Sequence, residues 1–594
     1  MLLPPRKTTR TRRVIVAATL LSLAAALSTA WAQPPARVLP PPQGDQPAIT
    51  PATDPVPPIA PAAPASPPKF QAPITPTRAD LARVFLQLEH ALSIARDKTP
   101  RQRAENSKAF DALTMTFFSG RYGEVIKQLH AFIDKVGAAS PDSDRQLARS
   151  LRVSCDPQVI ALDAFATAKF TLTSMYDAGA GAGLAAPVKR PITVRFTRSG
   201  GGHTASLWTE ATIEPAGMIS AELLIDLPKS FAGAAPGVYN VSVDFQTKTS
   251  AAPVDIGRIV IASRAPSADR ALITERAQAL EAANEQERPV LATAARRVLG
   301  RASLLTDTPS PNNSSEFMLD ISRHVIDLNA ELNQIAAGTD PFKSRAGDWW
   351  VLLSTGQSTL PARIIAPPTA LAPPALTPGP RPPLLIALHG LGGDENMFPD
   401  AYGNGKLASL AAQRGFILVS PRVDLMTFAS PKALDALLDD LATMYDFDRE
   451  RVYVLGHSMG AGAGAFAARN SITKVAGVAC LAGGLQRPVA RPVAPMLIYA
   501  GELDPIASAK TLKAAALASK AAGFSVEYRE AANEGHTLMV ASVLDDAVAW
   551  LLEQRLDPQE RQRWLDADKA RPRKAPGPNP AGAPAVPAPT PAAP

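Results

Sequence analysis

Val452-Tyr453-Val454-Leu455-Gly456-His457-Ser458-Met459-Gly460 is the stretch that decides the fold of the C-terminal third of this chain. Four β-prone residues lead into G-x-S-x-G, and a small-residue run, Ala461 to Ala468, follows and can form a helix. Strand, sharp turn and helix are the setting of a nucleophile elbow. The turn lifts the Ser458 hydroxyl above the sheet edge at a helix N-terminus. Gly456 and Gly460 fit there because a side chain would collide with neighbouring backbone. A G-x-S-x-G pentapeptide is common by chance, since Gly and Ser are each about 6–7% of residues. Its weight depends on whether an acid and a histidine follow it in order.

The chain has seven histidines. His90, His130, His203 and His324 lie far upstream, and His389 and His457 precede the serine. Only His536, in Asn533-Glu534-Gly535-His536-Thr537 after the strand-like Val526 to Arg529, lies downstream. The acid should end the preceding strand. Pro495 to Ala500 is apolar and β-prone and runs into Gly501-Glu502-Leu503-Asp504-Pro505. Asp504 is the preferred acid and Glu502 the second choice. Such a carboxylate orients the imidazole and stabilises its charged form, so that His536 can take and return the Ser458 proton. Amides to hold a developing oxyanion come from the residue after the serine and from the loop after an earlier strand. Leu384 to Leu388 is that strand, and it enters His389-Gly390-Leu391-Gly392-Gly393. The expected donors are the amides of Leu391 and Met459, with Gly390 and Gly392 freeing the loop backbone.

These four motifs together resemble the secreted α/β-hydrolase esterases, closest to the polyhydroxybutyrate-depolymerase/feruloyl-esterase-like and phospholipase/carboxylesterase-like group. The resemblance covers about residues 347–555, a third of the chain. Ala461 departs from it, since many of these enzymes carry another Gly after the elbow; this bears on helix packing more than on chemistry. The resemblance implies cleavage of carboxylic esters through an acyl-enzyme, with no cofactor and no metal. Two other readings stand beside it: a prolyl-oligopeptidase-like peptidase, disfavoured by the lack of propeller-like repeats, and a cell-surface binding protein whose hydrolase domain is only a scaffold.

The remaining sequence bounds the setting. At 594 residues three or four domains are expected. Of 58 prolines, 33 lie in residues 33–76, 366–383 and 572–594, a composition of linkers, loop and tail. Residues 1–32 read as a cleaved signal peptide: Arg6, Lys7, Arg10, Arg12 and Arg13, then an apolar run from Val14 to Ser28, then Ala30-Trp31-Ala32. The run is short for a membrane span of about 20 residues, so the mature chain is expected secreted or periplasmic, without an integral span. Five positive charges leave with that segment, so the net charge of +7 falls to about +2. No basic cluster suggests nucleic acid. Cys155 and Cys480 are too few and too distant for a disulfide framework.

The expected organisation is multidomain. After the 33–76 linker come a helical region (77–180), a β-sandwich-like module (187–263), a second helical region (266–340), the α/β-hydrolase (347–555) and a Pro/Ala-rich tail (570–594). Thr77 to Asp80 reads as a capping box before the helical spacing of Leu81, Val84, Phe85, Leu88 and Leu92. Phe317, Ile321, Val325, Leu328, Leu332 and Ile335 form one buried stripe in the second helical region. In the β-module, Trp208 or Tyr239 could form a carbohydrate platform, and core packing is the preferred reading of both. The hydrolase is expected to be a mostly parallel sheet with helices on both faces. Only 46 residues separate Ser458 from Asp504, and 32 separate Asp504 from His536. That leaves no room for a long cap, so the site is open or is roofed by the N-terminal modules. The substrate is expected to be a small-molecule or polymer ester, with cell-surface or polysaccharide contact open to the N-terminal modules.

Overall fold

The computed structural model describes residues 75–570, apart from 96–98, 138–141, 165–166, 180–183, 232–234, 246–252, 310–319, 357, 372–379 and 425–429. The expected signal peptide, nearly all of the linker, the tail and Phe317 lie outside the described residues.

The C-terminal region is built on an eight-stranded sheet. Its strands are β9 (Gly347–Ser354), β10 (Thr359–Ala366), β11 (Leu384–Leu388), β12 (Ile417–Pro421), β13 (Val452–His457), β14 (Gly477–Leu481), β15 (Met496–Gly501) and β16 (Val526–Ala531). Their spatial order is β16-β15-β14-β13-β11-β12-β10-β9. The six strands from β11 on are parallel, and β9 and β10 form an antiparallel hairpin added at one edge. β11 to β15 are short, largely apolar strands buried along their whole length. Such runs suit a sheet covered on both faces. Alternate residues serve opposite sides: Leu384, Ile386 and Leu388 join one core, and Leu385 and Ala387 the other. The chain leaves β11 for β12 on one side and leaves β13 for β14 on the other, so the carboxyl ends of the neighbours β11 and β13 flank a switch point, where open α/β sheets hold their sites.

Residues 151–262 form a second eight-stranded sheet. It comprises β1 (Leu151–Asp156), β2 (Val159–Ala161), β3 (Thr167–Ser174), β4 (Val188–Arg198), β5 (Thr204–Ile213), β6 (Ile219–Asp226), β7 (Gly237–Phe245) and β8 (Val254–Ala262). Its order is β1-β3-β6-β5-β4-β7-β8-β2, antiparallel except for the β2–β8 pair. It curls on itself, so that Val153 of β1 lies against Gly257 of β8 and encloses a core of Phe170, Phe196, Phe231 and Tyr239. This corrects the sequence expectation in two places. Helix does not continue to 180, because three strands occupy 151–174. The alternation in Thr167-Ala168-Lys169-Phe170-Thr171-Leu172 is a period-two pattern that pairs with β6 and buries Ala168, Phe170 and Leu172. Trp208 is not core but 61% exposed, on the outer face of β5; Tyr239 is buried.

Helices frame both sheets. α1 (Arg78–Ile94), α2 (Pro100–Phe118) and α3 (Tyr122–Val136) pack around Leu81, Val84, Leu88, Leu113, Ile126 and Phe132, and α4 (Ser143–Ser150) leads into β1. Thr77 caps α1 through the reciprocal contact with Asp80 that its sequence suggests. α5 (Pro266–Asn284), α6 (Pro289–Ala302) and α7 (Ile321–Ala336) share one continuous core with β9 and β10 of the C-terminal sheet. Ile321, Leu328, Leu332 and Ile335 form the buried stripe of α7. Arg301 of α6 is fully buried against Glu331 of α7 and donates to the Trp350 carbonyl. The helices around the parallel sheet are α8 (Lys406–Arg414), α9 (Pro431–Met444), α10 (Met459–Asn470), α11 (Ala509–Ala521) and α12 (Met539–Glu553), and α13 (Pro558–Ala570) follows them. Among the described residues no helix is long and apolar enough to cross a membrane.

Candidate active site

β13 ends at His457, and Ser458 turns the chain into α10 with φ 53° and ψ −109°, a conformation that L-residues rarely adopt. The turn is possible because its two glycines touch backbone. A Cβ on Gly456 would lie 2.1 Å from the Gly460 carbonyl oxygen, and one on Gly460 would lie 2.0 Å from that of Leu388.

The loops after β15 and β16 bring the other two residues to the serine. His536 Nε2 is 2.9 Å from Ser458 Oγ, and His536 Nδ1 is 2.8 Å from Asp504 Oδ2. The other carboxylate oxygen, Asp504 Oδ1, accepts from the amides of Ile506 and Ala507 at 2.8 Å each, which fixes its orientation. Glu502 points elsewhere and accepts from the Asn533 amide at 2.8 Å. A chain of acid, imidazole and hydroxyl in this geometry can move a proton from serine to histidine while holding the imidazole in one tautomer.

The glycine-rich loop after β11 lies against the same point. A Cβ on Gly390 would be 3.4 Å from Ser458 Cβ, so the segment carrying the Leu391 amide borders the serine. Met459 opens α10, and first-turn amides of a helix lack intrahelical acceptors. The Leu391 side chain is 44% exposed at the loop tip and offers an apolar surface beside the site.

Two histidines passed over in the sequence brace these loops. His457 is buried; its Nε2–H donates to the His536 carbonyl at 3.0 Å, and its Nδ1 accepts from the Tyr402 hydroxyl at 2.8 Å. Burial holds His457 neutral, with its pKa pushed down to about 3. His389 Nδ1–H donates to the Gly390 carbonyl at 2.8 Å, and its Nε2 accepts from the Val423 amide at 3.0 Å. Burial lowers its pKa too. One ring thus pins the histidine loop and the other the glycine-rich loop.

Further contacts come from α1 and α2, and sequence reasoning did not find them. Asp111 of α2, only 5% exposed, accepts the His536 backbone N–H at 3.0 and 3.2 Å. Ser107, one turn earlier, donates to Glu534 at 3.1 Å, and Ser542 donates to the other oxygen of Glu534 at 2.9 Å. Arg78 of α1 donates to the Gly392 carbonyl, and the Phe117 ring occupies the space beside Gly392. Leu538, just before α12, joins the apolar core of the three helices. The helical segment therefore touches both loops that border Ser458. Ser107 and Asp111 are polar residues four apart on α2, and only the structure shows that both are buried.

Fold and site together give a mostly parallel α/β sheet carrying a serine on a strand-turn-helix elbow. The sequence matches no family model and no curated protein. Among solved structures, it is similar to an S-formylglutathione hydrolase from Staphylococcus aureus at 15% identity, over 35% of this chain and 98% of that one, with a TM-score of 0.29. A feruloyl esterase module from Clostridium thermocellum shares 12% identity over 36% and 90% of the two chains, with a TM-score of 0.26. An esterase from Pyrobaculum calidifontis shares 14% over 38% and 86%, with a TM-score of 0.27.

Proposed function

We propose that this protein is a secreted serine esterase in which Ser458, His536 and Asp504 form the catalytic triad. The observation that carries the reading is the continuous hydrogen-bonded chain from Ser458 Oγ through His536 to Asp504, at 2.9 and 2.8 Å. His536 takes the Ser458 proton as the serine oxygen attacks the ester carbonyl. The carbonyl oxygen becomes an oxyanion held by the Leu391 and Met459 amides. Collapse of that intermediate breaks the ester C–O bond, and His536 returns its proton to the departing alkoxide, which leaves as alcohol and gives an acyl-enzyme. Water, deprotonated by His536, then attacks the acyl carbonyl, and release of the acid restores Ser458. The exposed Leu391 side chain and the Phe117 ring beside Gly392 favour an ester with an apolar part next to the scissile bond.

The test uses protein beginning at Gln33, wild type beside Ser458→Ala, assayed on p-nitrophenyl acetate, butyrate and octanoate, with fluorophosphonate labelling in parallel. The expected result is turnover and labelling in the wild type, with kcat falling by about 10⁴-fold or more in Ser458→Ala. A folded wild type that neither labels nor hydrolyses any of these esters would sink the reading.

A further inference from the structure

The contact between α2 and the histidine loop is more than packing. The Asp111 carboxylate sits in a buried position and accepts the His536 N–H with both oxygens. It also fills the space that a side chain at position 535 would need: a Cβ on Gly535 would lie 2.1 Å from Asp111 Oδ2. The glycine in Glu534-Gly535-His536 leaves the room that a residue from α2 occupies. We infer that Asp111 is a positioning residue of the site, holding the backbone of the His536 loop from α2 while its negative charge favours the imidazolium that His536 becomes during reaction. This rests on the esterase reading.

The surroundings of Asp111 fit that role. The titratable groups acting on it are His536, whose positive form attracts it, and Asp504, whose charge repels it. Glu534 is engaged by Ser107 and Ser542, and neutral His457 lies behind His536. Glu89, Arg103 and Lys406 line the cleft beyond Ser107. Burial, foremost, pushes the Asp111 pKa up to about 6, offset in part by backbone hydrogen bonds from His536 and Thr537.

The sign of the stability effect follows. A carboxyl with a folded-state pKa above its unfolded value stabilises the fold most below the unfolded value, 3.8, and loses that contribution as pH rises through about 6. At pH 7.5 the charged form is thus held against the fold's own preference. A group kept charged at such a cost to stability is one expected to serve activity. Asp111→Asn keeps an acceptor for the loop amides and removes the charge, so it should fold.

The experiment compares wild type, Asp111→Asn and Ser107→Ala, each from Gln33 on. It measures p-nitrophenyl acetate kcat/KM and the fluorophosphonate labelling rate from pH 4.5 to 9, and Tm at pH 7.5. With that negative charge removed from beside the imidazole, the acid limb of both profiles should move down by about one unit in Asp111→Asn. The plateau rate should fall by about 10-fold, because the developing imidazolium loses a nearby negative charge. Its Tm at pH 7.5 should equal or exceed that of the wild type. Ser107→Ala removes a neutral contact between the same helix and the same loop, and its acid limb should stay in place. An unmoved limb in Asp111→Asn, an equal shift in Ser107→Ala, or an Asp111→Asn protein that melts below wild type would each overturn the inference. A wild type with neither labelling nor Ser458-dependent turnover would remove the esterase reading and this inference with it, an outcome distinct from labelling that ignores Asp111.

Discussion

The two eight-stranded sheets of this protein solve the same burial problem in opposite ways. The C-terminal sheet is mostly parallel and buried on both faces, and its site edge is held by backbone touching backbone, as where Gly460 meets the Leu388 carbonyl. The 151–262 sheet is mostly antiparallel and curled, and it is held by side chains alternating inward, with Phe170, Phe196 and Phe231 in edge-on contact. The first arrangement fixes atoms to a fraction of an ångström, which positioning a serine requires. The second tolerates variation on its outer face.

That contrast can be broken by substitution. The largest effect is expected for Gly460→Ala. Its Cβ would meet backbone that cannot yield, so the loss should exceed about 4 kcal/mol and folded protein should not be recovered, as judged by soluble yield and circular dichroism. A well-folded, active Gly460→Ala would mean that the elbow is not closed by backbone contact. Phe196→Ala should be graded: about 3–5 kcal/mol lost from the antiparallel core, read from the urea midpoint, with fluorophosphonate labelling of Ser458 retained below the transition. Labelling lost together with Phe196 would show that the two sheets are one cooperative unit. The smallest effect belongs to Trp208→Ser, within about 0.5 kcal/mol of wild type, because the indole is exposed; a large drop in Tm would mean that this face is covered in solution.

The same contrast explains what could be read from the sequence. β11, β13 and β15 were legible because strands buried on both faces are unbroken apolar runs, and because each ends in a motif whose chemistry demands an order along the chain. Thr77 announced α1 through local capping chemistry. Residues 151–174 were not legible. β1 buries only Leu151 and Val153 among Arg152, Ser154 and Asp156, and β3 alternates over only six residues; neither resembles a strand until the partner is present. Trp208 was taken for core because large aromatics usually are, and only the sheet's curl decides which face it takes. Asp111 left almost no trace, since its role depends on a loop that nothing nearby in sequence encodes.

The contact between Asp111 and His536 also has a consequence in time. The two residues stand 425 positions apart, and Arg78 and Gly392 stand 314 apart. Closures of that span are the slow steps of assembly. A ribosome adding roughly 5–20 residues per second finishes α2 some 20–85 seconds before it reaches His536. The polar pair of α2, Ser107 and Asp111, therefore waits until Glu534 and His536 are made before it meets its partners.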